Sequence, residues 1–134
     1  MNKQWTDTFR GEVERFKETI SAFDKGELDR KDYKGVSGGL GSYAQRDPAK
    51  HMLRLRLPGG RLTLERLEFL AQVVEREKVG RMKLTTCETI QLHDLAADQV
   101  PALMAEAVGC EIYTKGGGGD NPRNVMASPL SGVQ

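Results

Sequence analysis

Three stretches of this 134-residue chain hold side chains of types that do chemistry. LTTCETIQLHD, residues 84–94, alternates apolar and polar positions and puts Thr85, Cys87, Gln91 and His93 among the polar ones. MLRLRLPGG, 52–60, sets Arg54 and Arg56 between Leu53, Leu55 and Leu57. The tail GGGGDNPRNV, 116–125, carries Arg123 with Asn121 and Asn124 close on either side. A thiol beside arginines can be a reactive thiolate, and a histidine can ligate a metal. Arginine forks with Gln, Thr and His donors suit a polyanion instead.

The residue inventory narrows these choices. Cys87 and Cys110 lack the spacing of a disulfide framework or a four-cysteine metal site, and His51 is the one other histidine. A protein-only metal site is therefore not expected. Cys110 follows a helix and is expected in packing; Met52, Met82 and Met104 are expected in or near the core. The glycine run could form a backbone-amide nest for an anion or a flexible linker. It is not a Walker loop, because no Lys-Ser/Thr follows at the required spacing.

Hydrophobic content of 38% and charged content of 29% describe an ordinary folded protein with a net charge of +1. That balance argues against a general affinity for nucleic acid. Charge is uneven along the chain. Residues 1–34 hold eight basic and eight acidic residues, whereas 41–61 hold Arg46, Lys50, Arg54, Arg56 and Arg61 against Asp47 alone. An anion site is expected near the middle. No h-region opens the chain and no apolar run reaches the ~18 residues of a membrane helix, so a cytoplasmic location is expected.

These residues need elements to position them. Trp5, Phe9, Val13, Phe16, Ile20 and Phe23 recur at helical spacing, which predicts an amphipathic helix over about 6–24 ended by Gly26. Residues 33–48 read as a Gly- and Ser-rich connection. A strand is predicted over 51–57, then a helix over 64–78 capped by Thr63, with Gly80 as its C-terminal cap and Leu64, Leu67, Leu70, Ala71 and Val74 on its buried face. Two short strands over about 81–86 and 89–94 follow. Asp98 is expected to cap a helix over 98–108, with Pro101 in its first turn and Gly109 at its end. CEIYTK is expected as a last strand, and 115–134 as loop. The order from residue 51 is β-α-β-β-α-β, an α+β, ferredoxin-like antiparallel sheet with both helices on one face.

Alternation then assigns the two faces. Leu53, Leu55, Leu57, Met82, Leu84, Ile90 and Leu92 are expected beneath the helices. Arg54, Arg56, Lys83, Thr85, Cys87, Gln91 and His93 are expected on the open face, with Glu88 at the turn. Such a face suits an acidic ligand, and it equally suits plain solvation, as one face of an antiparallel sheet is often wet.

Taken together and in order, MLRLRLPGG, LTTCETIQLHD and GGGGDNPRNVMASPLSG resemble the sirohaem-containing sulfite and nitrite reductases. The likeness is to their first ferredoxin-like half-domain and covers about residues 34–133. YKGVSGGLGSYAQRD also looks like the lead-in segment of the dissimilatory-like or clostridial members. The chain is thus expected to divide into 1–33, a helix and connection, and 34–134, the half-domain and trailing loop. The resemblance implies that the open face lies over a sirohaem, an iron tetrapyrrole fringed with carboxylates and coupled to a 4Fe-4S cluster. It implies that Arg54 and Arg123 bind the anionic substrate, sulfite or nitrite. It implies that Thr85, Gln91 and His93 line the cofactor, with Asn121 and Asn124 at its edge; Arg56 joins them by strand parity. Cys87 stands where the family typically has an arginine of a TTRQ-like motif. The family's catalytic lysines and cluster cysteines lie further along than Gln134.

The resulting expectation is an N-terminal portion of a sulfite or nitrite reductase that does not catalyse alone and meets the remainder of the enzyme or a partner chain. The alternative is a free-standing module that binds an anionic small molecule or a partner protein through its open sheet face. An RNA-binding reading is disfavoured, because the open face as assigned has no aromatic side chain on which bases could stack.

Overall fold

A computed structural model describes residues 2–133. The first helix, α1 (Lys3–Asp24), starts where the Asn2 side chain accepts from the Trp5 amide at 3.3 Å. It ends at Lys25, followed by Gly26 at φ +79°. Its stripe of Phe9, Val13, Phe16, Ile20 and Phe23 is buried, as the periodicity predicts.

The stretch 33–48 is not a plain connection. It holds most of a second helix, α2 (Arg30–Ser37), then one 3₁₀ turn and a short strand, β1 (Ser42–Ala44). Asp29 caps α2 by accepting from the Asp32 amide at 2.7 Å. The helix has eight residues and one buried aromatic, Tyr33, so no apolar stripe announces it. Tyr33 stacks on Phe23 of α1 at 4.1 Å between centroids, which fixes the two helices together. The boundary expected at residue 33 thus falls inside α2.

The strand β2 (His51–Arg56) leads to α3 (Leu64–Arg76), capped by Thr63, whose hydroxyl accepts from the Arg66 amide at 3.3 Å. The left-handed position after α3 falls on Lys78, at φ +53°, rather than on Gly80. β3 (Arg81–Leu84) and β4 (Thr89–Leu95) form a hairpin. The last helix, α4 (Gln99–Ala107), takes no side-chain cap from Asp98. Gln99 acts instead, accepting from the Ala96 amide at 2.8 Å and donating to the Glu77 carbonyl at 3.0 Å, which ties α4 to the end of α3. A 3₁₀ turn over Val108–Cys110 extends α4, and Glu111, not Gly109, carries the positive φ that ends it.

The sheet is antiparallel throughout, in the order β1-β2-β4-β3. The last strand expected over CEIYTK shrinks to one antiparallel bridge between Tyr113 and Arg56. β1 takes up the rest of that edge, pairing with His51 to Leu53. One extra residue on β4 separates the pairs His51↔Leu95 and Leu53↔Leu92, and Asp94 absorbs this bulge at φ +60°. Gln45 holds the bulge by accepting from the Asp94 amide at 2.6 Å and donating to its carboxylate at 2.9 Å.

One core joins all layers. Leu53, Leu55, Leu57, Ile90 and Leu92 lie beneath Leu70 and Val73 of α3, Leu103 and Met104 of α4, and the α1 stripe. Two expectations fail here. Met82 and Leu84 share the inward face by register with Leu92 and Ile90, yet they are 46% and 77% exposed. The buried side of α3 is also rotated: Leu64 and Leu67 are exposed while Leu70 and Val73 reach the core. The helix-bearing side of the edge strand β3 is therefore left uncovered.

His51 gives the core a pH dependence. It is fully buried, with Nδ1 bonded to the Tyr33 hydroxyl at 3.3 Å and, among the described residues, no hydrogen-bond partner at Nε2. Burial lowers its pKa below 6.5, with Asp24 partly opposing. The unfolded chain therefore binds a proton near pH 6.5 that the folded chain rejects. Stability is full above that pH and falls as pH drops through it, by at most about 1.4 kcal/mol per pH unit. Urea denaturation between pH 7.5 and 5.5 should show this loss, and His51→Gln should flatten it. An unchanged slope in the variant would remove His51 as its source.

Candidate functional site

The outward side of the sheet is built on the alternation of β2 and β4. Register places Arg54, Gln91 and Lys83 in one row across β2, β4 and β3. Arg56 faces Thr89 in the next row, and His93 faces Arg81 on the other side. Tyr43 joins this face from β1, opposite Met52.

The tail folds back over part of this face. Arg54 Nη1 donates to the Gly117 carbonyl, and Arg54 is 8% exposed. Arg56 Nε donates to the Arg123 carbonyl at 2.9 Å and its Nη1 to the Lys115 carbonyl at 2.6 Å. The Gly119 amide donates to the Tyr43 hydroxyl at 2.7 Å. A side chain at Gly118 would collide with that hydroxyl and with the Gly38 carbonyl, so only glycine lets the tail lie this close. The amides of Gly116 and Gly117 donate to the Gly39 and Thr114 carbonyls at 2.8 and 2.9 Å. The run is therefore neither an open amide nest nor a free linker. Its amides hold the tail down.

Asn124 is the second fastening. Its Nδ2 lies 3.0 Å from the Leu57 carbonyl, 3.0 Å from that of Cys87 and 3.1 Å from that of Glu88. The Gly59 amide donates to the Val125 carbonyl at 2.7 Å, and the Ala127 amide to Glu88 Oε2 at 3.1 Å. The tail thus bridges the turn after β2 and the β3–β4 hairpin. Among the described residues Asn121 donates only to the nearby Gly118 carbonyl, at 3.2 Å.

The expected site residues divide by what holds them. Thr85 closes the hairpin, with its hydroxyl 2.7 Å from that of Thr89 and accepting from the Thr89 amide at 3.1 Å. Arg56, Asn121 and Asn124 are engaged by backbone carbonyls. Burial, and then the charge of Arg123, lower the pKa of Arg54, while Tyr43 and Cys87 oppose this; as an arginine it keeps its charge at neutral pH. Arg54, Arg123 and Cys87 are therefore electrostatic neighbours. The Arg123 side chain is exposed and its guanidinium is unpartnered among the described residues; Cys87 is exposed too.

His93 is half-buried between Gln91 and Arg81, with Nε2 3.0 Å from Gln91 Oε1 and Nδ1 3.4 Å from Arg81 Nη2. Burial and then the charges of Arg81 and Lys83 lower its pKa, and Asp94 opposes them. A neutral ring protonated at Nε2 satisfies both contacts. Among the described residues no three His, Cys, Asp or Glu side chains group as a metal site, and no helix is long and apolar enough to cross a membrane.

Sequence reasoning missed Tyr43, which anchors the glycine run, and Arg81, which fixes His93. Tyr43 sits on a three-residue strand with no alternation to read. Arg81 lies at the first position of β3, where parity alone points it toward His93.

Comparison with known proteins agrees with this architecture. Residues 43–108 match the nitrite/sulfite reductase ferredoxin-like half domain. Ferredoxin–nitrite reductase of Leptolyngbya laminosa is 34% identical over 85 residues, 63% of this chain and 17% of that protein. The sulfite reductase [NADPH] hemoprotein beta-component of Geobacillus thermodenitrificans is 34% identical over 84 residues, 62% of this chain and 15% of that protein. The structure of the Mycobacterium tuberculosis NirA protein superposes with a TM-score of 0.72 at 21% identity, over 90% of this chain and 26% of that one. The fold is ferredoxin-like, and the chain carries a half domain of the nitrite/sulfite reductase family. It spans about a sixth of the length of the curated relatives it matches.

The two fastenings can be separated. Asn124→Ala removes contacts to three carbonyls and should destabilise the chain by about 1–3 kcal/mol in urea denaturation. It should also raise hydrogen exchange in 120–128. Asn121→Ala, which loses one local bond, should change both far less. Equal effects would show that Asn124 is not the anchor.

Proposed function

We propose that this chain is part of a nitrite or sulfite reductase and forms one wall of a sirohaem pocket. Arg54 and Arg123 are its cations for the substrate oxyanion. The observation that carries this reading is the row of Arg54, Gln91 and Lys83 on the outward face of the matched half domain, with the tail returning over it so that the charge of Arg123 acts on Arg54.

The donor set fits an acidic cofactor. Arg123 offers a free fork and Lys83 an exposed ammonium, and Gln91 keeps its amide nitrogen while its oxygen meets His93. Carboxylates of a tetrapyrrole would find donors there. When bound, sirohaem supplies the iron at which the oxyanion is reduced, with electrons from a 4Fe-4S cluster whose ligands lie outside this chain. The chain's own work is electrostatic. Arg54, held by Gly117 in a site from which water is largely excluded, and Arg123 at its rim place positive charge where an oxyanion sits. Arg56, Thr85, Asn121 and Asn124 hold the tail and the hairpin that frame the face; His93, neutral, orients Gln91.

A further surface suits the remainder of such an enzyme. Leu64, Leu67, Met82 and Leu84 are exposed on the helix-bearing side, next to a sheet edge with unpaired backbone groups. Arg81 and Lys83 on that edge disfavour pairing with a second copy. In this reading the isolated chain is inactive, because the rest of the pocket is supplied from outside it.

Titration of the chain with sirohaem, followed by the visible spectrum, tests the reading. Saturable binding should weaken about tenfold in Arg123→Gln, the effect of one charge-assisted hydrogen bond. Cys87→Arg, which restores the cation of the TTRQ-like motif, should tighten it. Binding indifferent to both changes would sink the cofactor role. A spectrum unaltered by sirohaem, with binding of small polycarboxylates that depends on Arg123, would favour the free-standing anion-binding module.

A further inference from the structure

α1 lies wholly outside the matched family segment, 43–108; its buried stripe joins the core, and its exposed side meets the segment after that match at two further points. Lys115 Nζ meets Glu12 at 2.7 Å, and the Trp5 and Tyr113 rings stand nearly perpendicular at 5.5 Å between centroids. Between these contacts the surfaces stay apart. They leave an open cleft of about 620 Å³, lined among others by Trp5, Arg15, Phe16, Arg56, Lys115 and Asn121. That volume lies within the range of small-molecule sites.

The lining has an electrostatic surplus. Lys115 is neutralised by Glu12. Arg56 spends Nε and Nη1 on neutral carbonyls, which leaves its charge uncompensated. Arg15 makes no hydrogen bond or ion pair among the described residues and stands on the opposite, α1 wall. Two guanidinium groups therefore line one cleft whose one carboxylate among the described lining residues, that of Glu12, is already paired with Lys115. The same cleft holds a flat apolar surface. Trp5 stacks on Phe9 at 5.3 Å and 11° between planes, so its ring is fixed in place while remaining 37% exposed.

We propose that this cleft binds a small aromatic carboxylate, its ring on Trp5 and its carboxylate between Arg15 and Arg56. Planar carboxylate and guanidinium match in two-point fashion, and a fixed indole gives a ring its stacking surface. The proposal does not rest on the sirohaem reading, because Arg15 and Trp5 belong to α1 and take no part in the sheet face.

Trp5 is the one tryptophan of the chain, so its fluorescence reports from the cleft itself. 2-Naphthoate should quench it saturably and compete less well at high salt. The neutral analogue 2-naphthylmethanol should bind at least fivefold more weakly. Arg15→Gln, an exposed position whose change leaves the core intact, should weaken 2-naphthoate at least fivefold, and Arg10→Gln on the same helix should not. Equal binding of the neutral analogue, or indifference to Arg15→Gln, would overturn the site. Loss on Arg123→Gln without loss on Arg15→Gln would assign the anion to the sheet face and likewise overturn it.

Discussion

β2 cannot leave its outer edge unpaired, and the rest of the molecule follows from how that edge is closed. The strand runs through the middle of the sheet with leucines on one side and arginines on the other. Its inner edge pairs with β4 along most of its length. Its outer edge is closed by two unrelated pieces. The Arg54 amide donates to the Gly41 carbonyl at 2.8 Å and the Arg56 amide to that of Tyr113 at 2.7 Å. Buried backbone donors require such partners, and here they come from chain segments about seventy residues apart. Gly41, at φ +86°, makes the arrangement possible, since a side chain there would meet the Thr114 carbonyl. The lead-in segment and the tail are thereby brought to one strand, and the glycine run is delivered over Arg54.

This closure explains the state of the two arginines. A guanidinium in a site so little exposed is tolerable only if its donors are satisfied. The Gly117 carbonyl takes up one of those donors, at Nη1 of Arg54, without adding a negative charge. A carboxylate partner would have cancelled the field; a carbonyl leaves it standing. The tail returns over Arg56 in the same way, through two carbonyls. The face is thus rigid and positive, which is the combination that electrostatic preorganisation calls for.

Much of this was legible because period and parity are local. The leucine–arginine alternation of 53–57, the α1 stripe and the Thr63 cap each need only neighbouring residues to be read. What failed needed distant partners. α2 and β1 are too short to show a period, and Tyr33 gains its meaning from Phe23. Parity gave the side of Met82 and Leu84 but not whether anything covers them. The face of α3 turned so that Leu70 and Val73 reach the core, which the leucine spacing of α3 does not show by itself. The tail read as loop because its fastening, Asn124 to the carbonyls of Leu57, Cys87 and Glu88, joins residues 36 to 67 positions apart. Of the candidate site, the strand residues were legible and the loop that buries Arg54 was not.

Cys87 is best understood from the same geometry. Its carbonyl, not its thiol, is committed, because Asn124 donates to it at the hairpin. The backbone at 87 is therefore fixed whatever side chain stands there. That side chain is exposed and lies close enough to Arg54 to influence it. An arginine at this position would add a third positive charge near Arg54 and Arg123, and like charges repel, though solvent screens the two exposed positions. A neutral thiol relieves that repulsion when no anion is bound, and it lowers the field available to one that is. A thiol thus adds no positive charge to the pair of arginines, while the frame that presents the position stays the same whatever side chain stands there.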